Sequence, residues 1–342
     1  MTNPAFASRA SNGQSGVRLV LAFIAVYVVW GSTYLFIRFA VETLPPFLMA
    51  GARFAIAGAI LYLWAKIRGA PTPSRGEIQG ATVAGLFLLL GGNGAVVWAE
   101  QRVPSGITAL LVATVPVWMV LLDWLRPGGV RPRAGVFIGL ALGLLGLGLL
   151  VGRGAVGPDA QGADLIGAAV LVVGSILWAI GSLYVRHSQH PSSAIVTNAV
   201  QMLAGGGALV IAGVAAGEVG RFDLADASTR SLLSLLYLVI AGSLIGFTAY
   251  TYLLQHTTPA KASTYAYVNP VVAVLLGWAF AGEAITPRTL VAAAVILAGV
   301  AIITKAGGSE RAGSEQSHAA DVSEHGPDDE LPAERRRRVA SS

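Results

Sequence analysis

Side chains able to recognise a solute are scarce in this 342-residue chain, and their spacing gathers them on a few faces. Tyr27, Trp30 and Tyr34 recur at i, i+3 and i+7, one side of a helix, with Ser32 and Thr33 beside them. Asn93 and, two turns on, Glu100 form a second group, and Thr248, Thr251, Tyr252 and Gln255 share one side of a later segment. Further on, Ser263, Tyr267 and Pro270 make one stripe and Tyr265 and Asn269 its neighbour. These residues hydrogen-bond and stack. Bond-breaking would need more: there is no cysteine, so thiolate nucleophiles, thiolate metal sites and disulfides are excluded. His187, His190 and His256 fall in predicted connections, and His318 and His325 in the C-terminal segment, leaving no base beside a serine at depth. No Walker motif is present. The expected chemistry is reversible binding of a small molecule, with no catalytic residue, metal or cofactor.

The elements that must position these groups belong in lipid. The chain is 54% apolar and 12% charged, with 42 glycines, far more apolar than an average soluble protein. A span needs about 20 apolar residues to cross roughly 30 Å of hydrocarbon. Ten segments meet or approach that test: 18–39, 46–65, 78–98, 105–125, 134–151, 164–185, 193–214, 231–254, 262–281 and 287–305. The first is about twice the length of a signal-peptide core and is expected to be retained as a helix. Eleven Lys and Arg fall in one set of loops and flanks and six in the other, where acidic residues dilute them. That asymmetry, and the even number of spans, predicts a multi-pass protein of the cell (inner) membrane with both termini in the cytoplasm. It also explains the +5 formal charge without nucleic acid. Residues 1–17 read as a cytoplasmic N-terminal segment, and 307–342, rich in Ser, Glu, Asp, His and Arg, as a disordered cytoplasmic tail.

Two copies of one unit are visible between these ends. At an offset of 148, Trp30 pairs with Trp178, Leu35 with Leu183, Arg38 with Arg186 and Gly58 with Gly206, while Arg53 meets Gln201. At an offset of 154, Gly92 pairs with Gly246, Gln101 with Gln255, Pro116 with Pro270 and Trp124 with Trp278. The copies span 18–151 and 164–305, each with five segments. An odd number reverses direction, so equivalent residues lie on opposite sides of the bilayer, an arrangement suited to alternating access. The fold class expected is an all-α membrane protein of ten transmembrane helices in two inverted five-helix repeats.

Several residues carry two readings. Ser and Thr in membrane helices commonly bond to their own backbone, which bears on Thr33 and Thr251. Trp64, Trp124 and Trp278 read as interfacial anchors, whereas Trp30 and Trp178 lie deeper and either line a cavity or pack at the repeat interface. Arg53, about seven residues into the second helix, either grips a substrate carboxylate with its planar fork or ties helix ends through backbone carbonyls and reaches outward. Pro116 and Pro270 each interrupt a backbone hydrogen bond, as hinges or merely as shape. Glu283, in Ala281-Gly282-Glu283, reads as a cap or loop residue, and Glu100 and Asp123 as groups near span ends that reach water. Segments five and ten, almost purely apolar, are expected outside the pathway. The substrate-cavity candidates are therefore Trp30, Thr33, Tyr34, Arg53, Asn93, Trp178, Thr251, Tyr252, Tyr265, Tyr267 and Asn269.

The run from Asn269 to Ile303, with Pro270, an apolar helix, Gly282-Glu283, a short loop and a last helix through Ala298-Gly299-Val300, resembles the end of an EamA domain. WGSTYLFIRF and ARFAIAGA resemble its opening, and NGAVVWAEQRVPSGITALL resembles helices three and four of bacterial inner-membrane exporters of the drug/metabolite transporter superfamily. The resemblance covers about 18–305. It implies a central cavity lined by helices 1, 3, 4, 6, 8 and 9, and export of metabolites, amino acids or xenobiotics. The first repeat departs from the pattern, with Gly129 at the position matching Glu283. The expectation is a secondary transporter of small organic solutes, with proton coupling and uniport both open and the oligomeric state not readable. The alternatives are a nucleotide-sugar or sugar-phosphate carrier, which would want more deep cations than Arg53, and a membrane signalling or scaffold protein.

Overall fold

The computed structural model describes residues 17–127, 134–151, 164–188, 193–256 and 265–302, a bundle with no β-strand among them. Seven helices are long and apolar enough to span a bilayer: α1 Val17–Ala40, α2 Pro46–Ile67, α3 Arg75–Ala99, α4 Ser105–Leu125, α6 Leu165–Val185, α7 Ala194–Ala215 and α8 Thr229–Tyr250. Three more apolar helices complete the set, α5 Ala134–Val151, α9 Tyr265–Ala281 and α10 Pro287–Ile302. Large apolar side chains cover the outside, Leu63, Ile211, Leu233 and Phe280 each exposing 60% or more. A surface of that kind is stable against lipid and would associate in water. Below, the near end is where α1 begins and the far end where it finishes.

Local signals explain most helix ends. Ser74 and Glu77 form a capping box, the Ser74 amide donating to Glu77 Oε2 at 2.6 Å and the Glu77 amide to Ser74 Oγ at 3.3 Å. These reciprocal bonds satisfy two first-turn donors and start α3 at Arg75, three residues before the apolar pattern begins. Asp164, Ser193 and Ser228 cap α6, α7 and α8 in the same way through one acceptor each.

Packing of the two repeats follows glycine. A Cβ on Gly58 would lie within 3.0 Å of Met202 Cβ, the Ala199 carbonyl and the Leu203 amide. A Cβ on Gly206 would meet the Ala55 amide, the Gly51 carbonyl and Phe54 Cβ at 2.8 to 3.1 Å. Subtracting 148 turns the first neighbour set into the second, so α2 and α7 cross about a pseudo-two-fold axis. Helices α5 and α10 repeat this: Gly146 sits against Ala292 and Ile296, and Gly299 against Gly139, Leu142 and Gly143. They pack on each other.

Matched prolines do not behave alike. Helix α4 breaks at Ala113-Thr114, and Pro116 stands in the first turn of the half-helix that follows, where its missing N–H costs nothing. The expectation that Pro116 interrupts a helix interior is therefore corrected, whereas Pro270 does lie inside a continuous α9. Helices α1, α3 and α8 contain π-helical stretches, Val26–Trp30, Leu86–Asn93 and Leu238–Ile245, the last two at equivalent places in the repeats. An extra residue per turn rotates everything beyond it, and such stretches cluster at functional sites.

Candidate functional site

Trp30 ends the π-helical turn of α1 and inserts between α8 and α9. Its ring meets Phe247, Tyr250 and Tyr265 at centroid separations of 5.4, 5.0 and 5.2 Å, and Tyr250 meets Tyr265 edge-on at 5.5 Å. Edge-to-face contacts of this sort fix ring orientation as well as burying area. The indole Nε1 donates to the Gly242 carbonyl at 3.2 Å, a group the π-helical turn of α8 leaves available. Asn269, placed on α9 one turn from Tyr265, donates its amide in the satisfying orientation to the carbonyls of Tyr27 and Tyr265, each at 3.3 Å. It thus stitches α1 to α9 around the indole.

Any Cβ at Gly246 would collide with the Trp30 indole, and one at Gly92 would lie 2.6 Å from the Trp178 ring. Trp30 and Trp178 are equivalent by the 148 offset and Gly246 and Gly92 by the 154 offset. Each tryptophan therefore rests on the other repeat's matching glycine. The two contacts differ in surroundings: Trp30 sits among aromatic rings, whereas Trp178 on α6 lies against α3, where Gly91 also meets Leu177.

A second polar group lies toward the far end. Arg53, 4% exposed, donates from Nε to Ser243 Oγ at 3.0 Å, its guanidinium carbon 4.7 Å from the Phe54 ring centroid. Among the described residues its Nη1 has no hydrogen-bond partner, nor has Asn93 Oδ1. The guanidinium thus bonds to another helix's hydroxyl and is buried, so the outward reach toward backbone carbonyls that its sequence position allowed is not seen. Arg38 of α1 donates to the Glu100 carbonyl at 2.7 Å. Glu100 itself is 0% exposed, which corrects the expectation that it reaches water; Asp123, by contrast, is half-buried and pairs with Arg126 at 2.7 Å. Span-end position fails as a guide because the α3–α4 turn is divided, Glu100 and Val103 turning into the bundle while Gln101 and Arg102 stay exposed.

The far-end turns carry a repeated motif. Ala216-Gly217-Glu218 ends α7 and Ala281-Gly282-Glu283 ends α9, each with its glycine in the left-handed region at φ 73° and 65°. That turn aims the following glutamate across the bundle. Glu218 accepts from the Phe47 and Leu48 amides at 3.2 and 2.9 Å, and Glu283 from the Ser105 and Gly106 amides at 2.6 and 3.0 Å. Both carboxylates satisfy orphan donors at the positive ends of first-repeat helices, α2 and α4. The sequence reading of Glu283 as a cap is met across the repeats, and Glu218 was missed although the same tripeptide marks it. Over this end lies an open cavity of about 430 Å³, bordered by Glu42, Trp98, Gln101, Arg102, Glu218 and Arg221.

The remaining candidates scatter. Thr33 spends its hydroxyl on the Trp30 carbonyl at 2.6 Å. Tyr34 lies half-buried beside the core of α2 and α3. Tyr252 stacks on His256 at 3.9 Å, and Thr248, on the same side of α8, is exposed and bonded to Leu244. The polar stripe expected to face the pathway is thus not the one that meets Trp30; Phe247 and Tyr250 do, and the signal that could have found them is the matched Gly246. The side chains of Thr251 and Tyr267 lie outside the described residues.

Comparison with known proteins adds the following. The model of the EamA-like transporter family matches twice, over residues 17–152 and 165–305. The uncharacterized inner membrane transporter YedA of Escherichia coli K12 is 41% identical over 83% of this chain and 89% of its own length. A "Probable terminal-alkyne amino-acid exporter" of Streptantibioticus cattleyicolor is 25% identical over 84% of this chain and 94% of its own. A solved crystal structure aligns with a TM-score of 0.57 at 20% identity, covering 84% of this chain and 97% of its own, a likeness of fold alone.

Proposed function

Because the chain belongs to the EamA-like transporter family, we propose that it is a secondary transporter that exports a small organic solute by alternating access. The near end, with both termini, faces the cytoplasm in this reading, and the far end faces outward. The observation that carries it is the reciprocal seating of Trp30 on Gly246 and Trp178 on Gly92, which couples the two repeats at equivalent points, one of them lined by aromatic rings. Rocking of one repeat on the other would trade those two contacts. The solute class it favours has an apolar or aromatic body to lie against Trp30, Tyr250 and Tyr265, together with polar groups; the amino-acid exporter among its relatives fits that description. Residues 18–151 and 164–305 form the two rocking units, and residues 307–342 a tail without a part in transport.

The test is flux. Purified protein in liposomes is screened against radiolabelled amino acids and amphipathic amines. Saturable counterflow of at least one, absent from empty liposomes, is expected; no counterflow across the whole panel would remove this reading.

A further inference from the structure

The Glu100 carboxyl is the buried polar group that the solute pathway leaves unexplained. It lies one residue beyond the span Arg75–Ala99, is 0% exposed, and neither of its oxygens has a hydrogen-bond partner among the described residues. Two cations are nearby and neither hydrogen-bonds to the carboxyl: Arg38 bonds to the Glu100 backbone carbonyl, and Arg53 through Nε to Ser243. From α1, Tyr34 also faces it, and from the α9–α10 turn comes Glu283, whose carboxylate is committed to the N-terminus of α4. Burial, followed by the neighbouring Glu283 charge, pushes the Glu100 carboxyl well above the usual range, and Arg38 and Arg53 offset only part of that.

An anion there would have neither water nor a donor, the costliest state a carboxylate can occupy. A proton removes that cost. With no water-sized space against either oxygen, nothing larger fits in this arrangement.

We propose that Glu100 is a proton-binding site that gates the far end: closure takes one proton from far-side water onto a Glu100 oxygen, and opening returns it. The proposal rests on the alternating-access reading above. Its logic is that of two carboxylates brought together. Seating Glu283 on the Ser105 and Gly106 amides ties the α9–α10 turn to α4 and fixes a second carboxylate near Glu100, and of the two only Glu283 gains donors for its charge. Glu100 therefore takes the proton. The sign follows: the group holds its proton more tightly closed than open, so closure is favoured at low pH and lost as far-side pH rises.

The natural absence of cysteine makes the test clean. Thr108, 0% exposed on α4, becomes the reporter as Thr108→Cys, and Gly220→Cys, on an exposed far-end turn where a Cβ meets nothing, is the control. A membrane-impermeant maleimide is added to intact cells, and Thr108→Cys labelling is expressed relative to Gly220→Cys, which removes the thiol's own titration and reports that this end is outside. With Glu100 present, the ratio should rise about fivefold between about pH 6 and about pH 8.5. In a Glu100→Gln background, near-isosteric and permanently neutral, it should stay low and flat. A ratio that climbs equally in both backgrounds would assign the pH response to a group other than Glu100 and overturn the proposal, as would a ratio flat in the parent. The readout needs no substrate, so it stands whether or not the flux screen succeeds.

Discussion

At the scale of single residues, the site is decided by which polar groups have partners. Thr33, Ser175 and Ser182 return their hydroxyls to their own helices, which is how most such residues are accommodated in hydrocarbon. Trp30 differs because its one donor goes to another helix and its faces go to three other rings. Each such ring contact is worth about 0.5–1.5 kcal/mol, so removing the indole should disturb the bound state by at least one factor of ten. Trp30→Ala is expected to lower flux about tenfold or more while inserting normally, whereas Val295→Leu on α10, away from the rings, should stay near wild type. Counterflow in liposomes measures both, and parental flux in Trp30→Ala would remove the indole from the pathway.

At the scale of elements, close backbone approach and capped ends do the organising. The α2–α7 crossing tolerates no Cβ at Gly206, where the obstacle is the Ala55 amide at 2.8 Å, a backbone atom that cannot rotate aside. Gly206→Ala is expected to destabilise the protein by about 1–3 kcal/mol, the range for overpacking. Its neighbour Gly207 faces open space, so Gly207→Ala should be neutral or slightly stabilising through helix propensity. Thermal unfolding in detergent distinguishes them, and equal midpoints would contradict the crossing described. The far-end turns work by charge where the helix crossing works by shape. Glu218 and Glu283 each satisfy two first-turn amides of a helix in the other repeat, while Glu77 serves only its own exposed helix start. Both of these cross-repeat carboxylates come from the second copy, and the first has Gly129 where Glu283 would recur. The two-fold symmetry of the helices is therefore broken at the latch.

At the scale of the whole molecule, orientation follows from charge and parity. If the near end is cytoplasmic, a reporter active only in the cytoplasm should work when fused after Gly69, between α2 and α3, and fail when fused near Asp223, between α7 and α8; activity at Asp223 would reverse the bundle. The sequence by itself determined the ten spans, because hydropathy and length are properties of consecutive residues and lipid enforces them one helix at a time. It also determined the repeat, and with it which positions are equivalent; their contacts then follow the same symmetry, Gly58 against Met202 and Gly206 against Phe54, Trp30 on Gly246 and Trp178 on Gly92. Tertiary structure alone decided the rest. Glu100 looks like a surface residue in sequence because it ends a span, and is buried because its side chain turns into the bundle while Gln101 and Arg102 beside it stay outside. Tyr250, outside the polar stripe of α8, meets Trp30 because the rotation of α8 is set by its π-helical stretch and its neighbours, and an isolated polar stripe carries no record of either. Which carboxylate meets which helix end is likewise a property of chain reversal and packing, so the repeated Ala-Gly-Glu could mark the turns without naming what they reach.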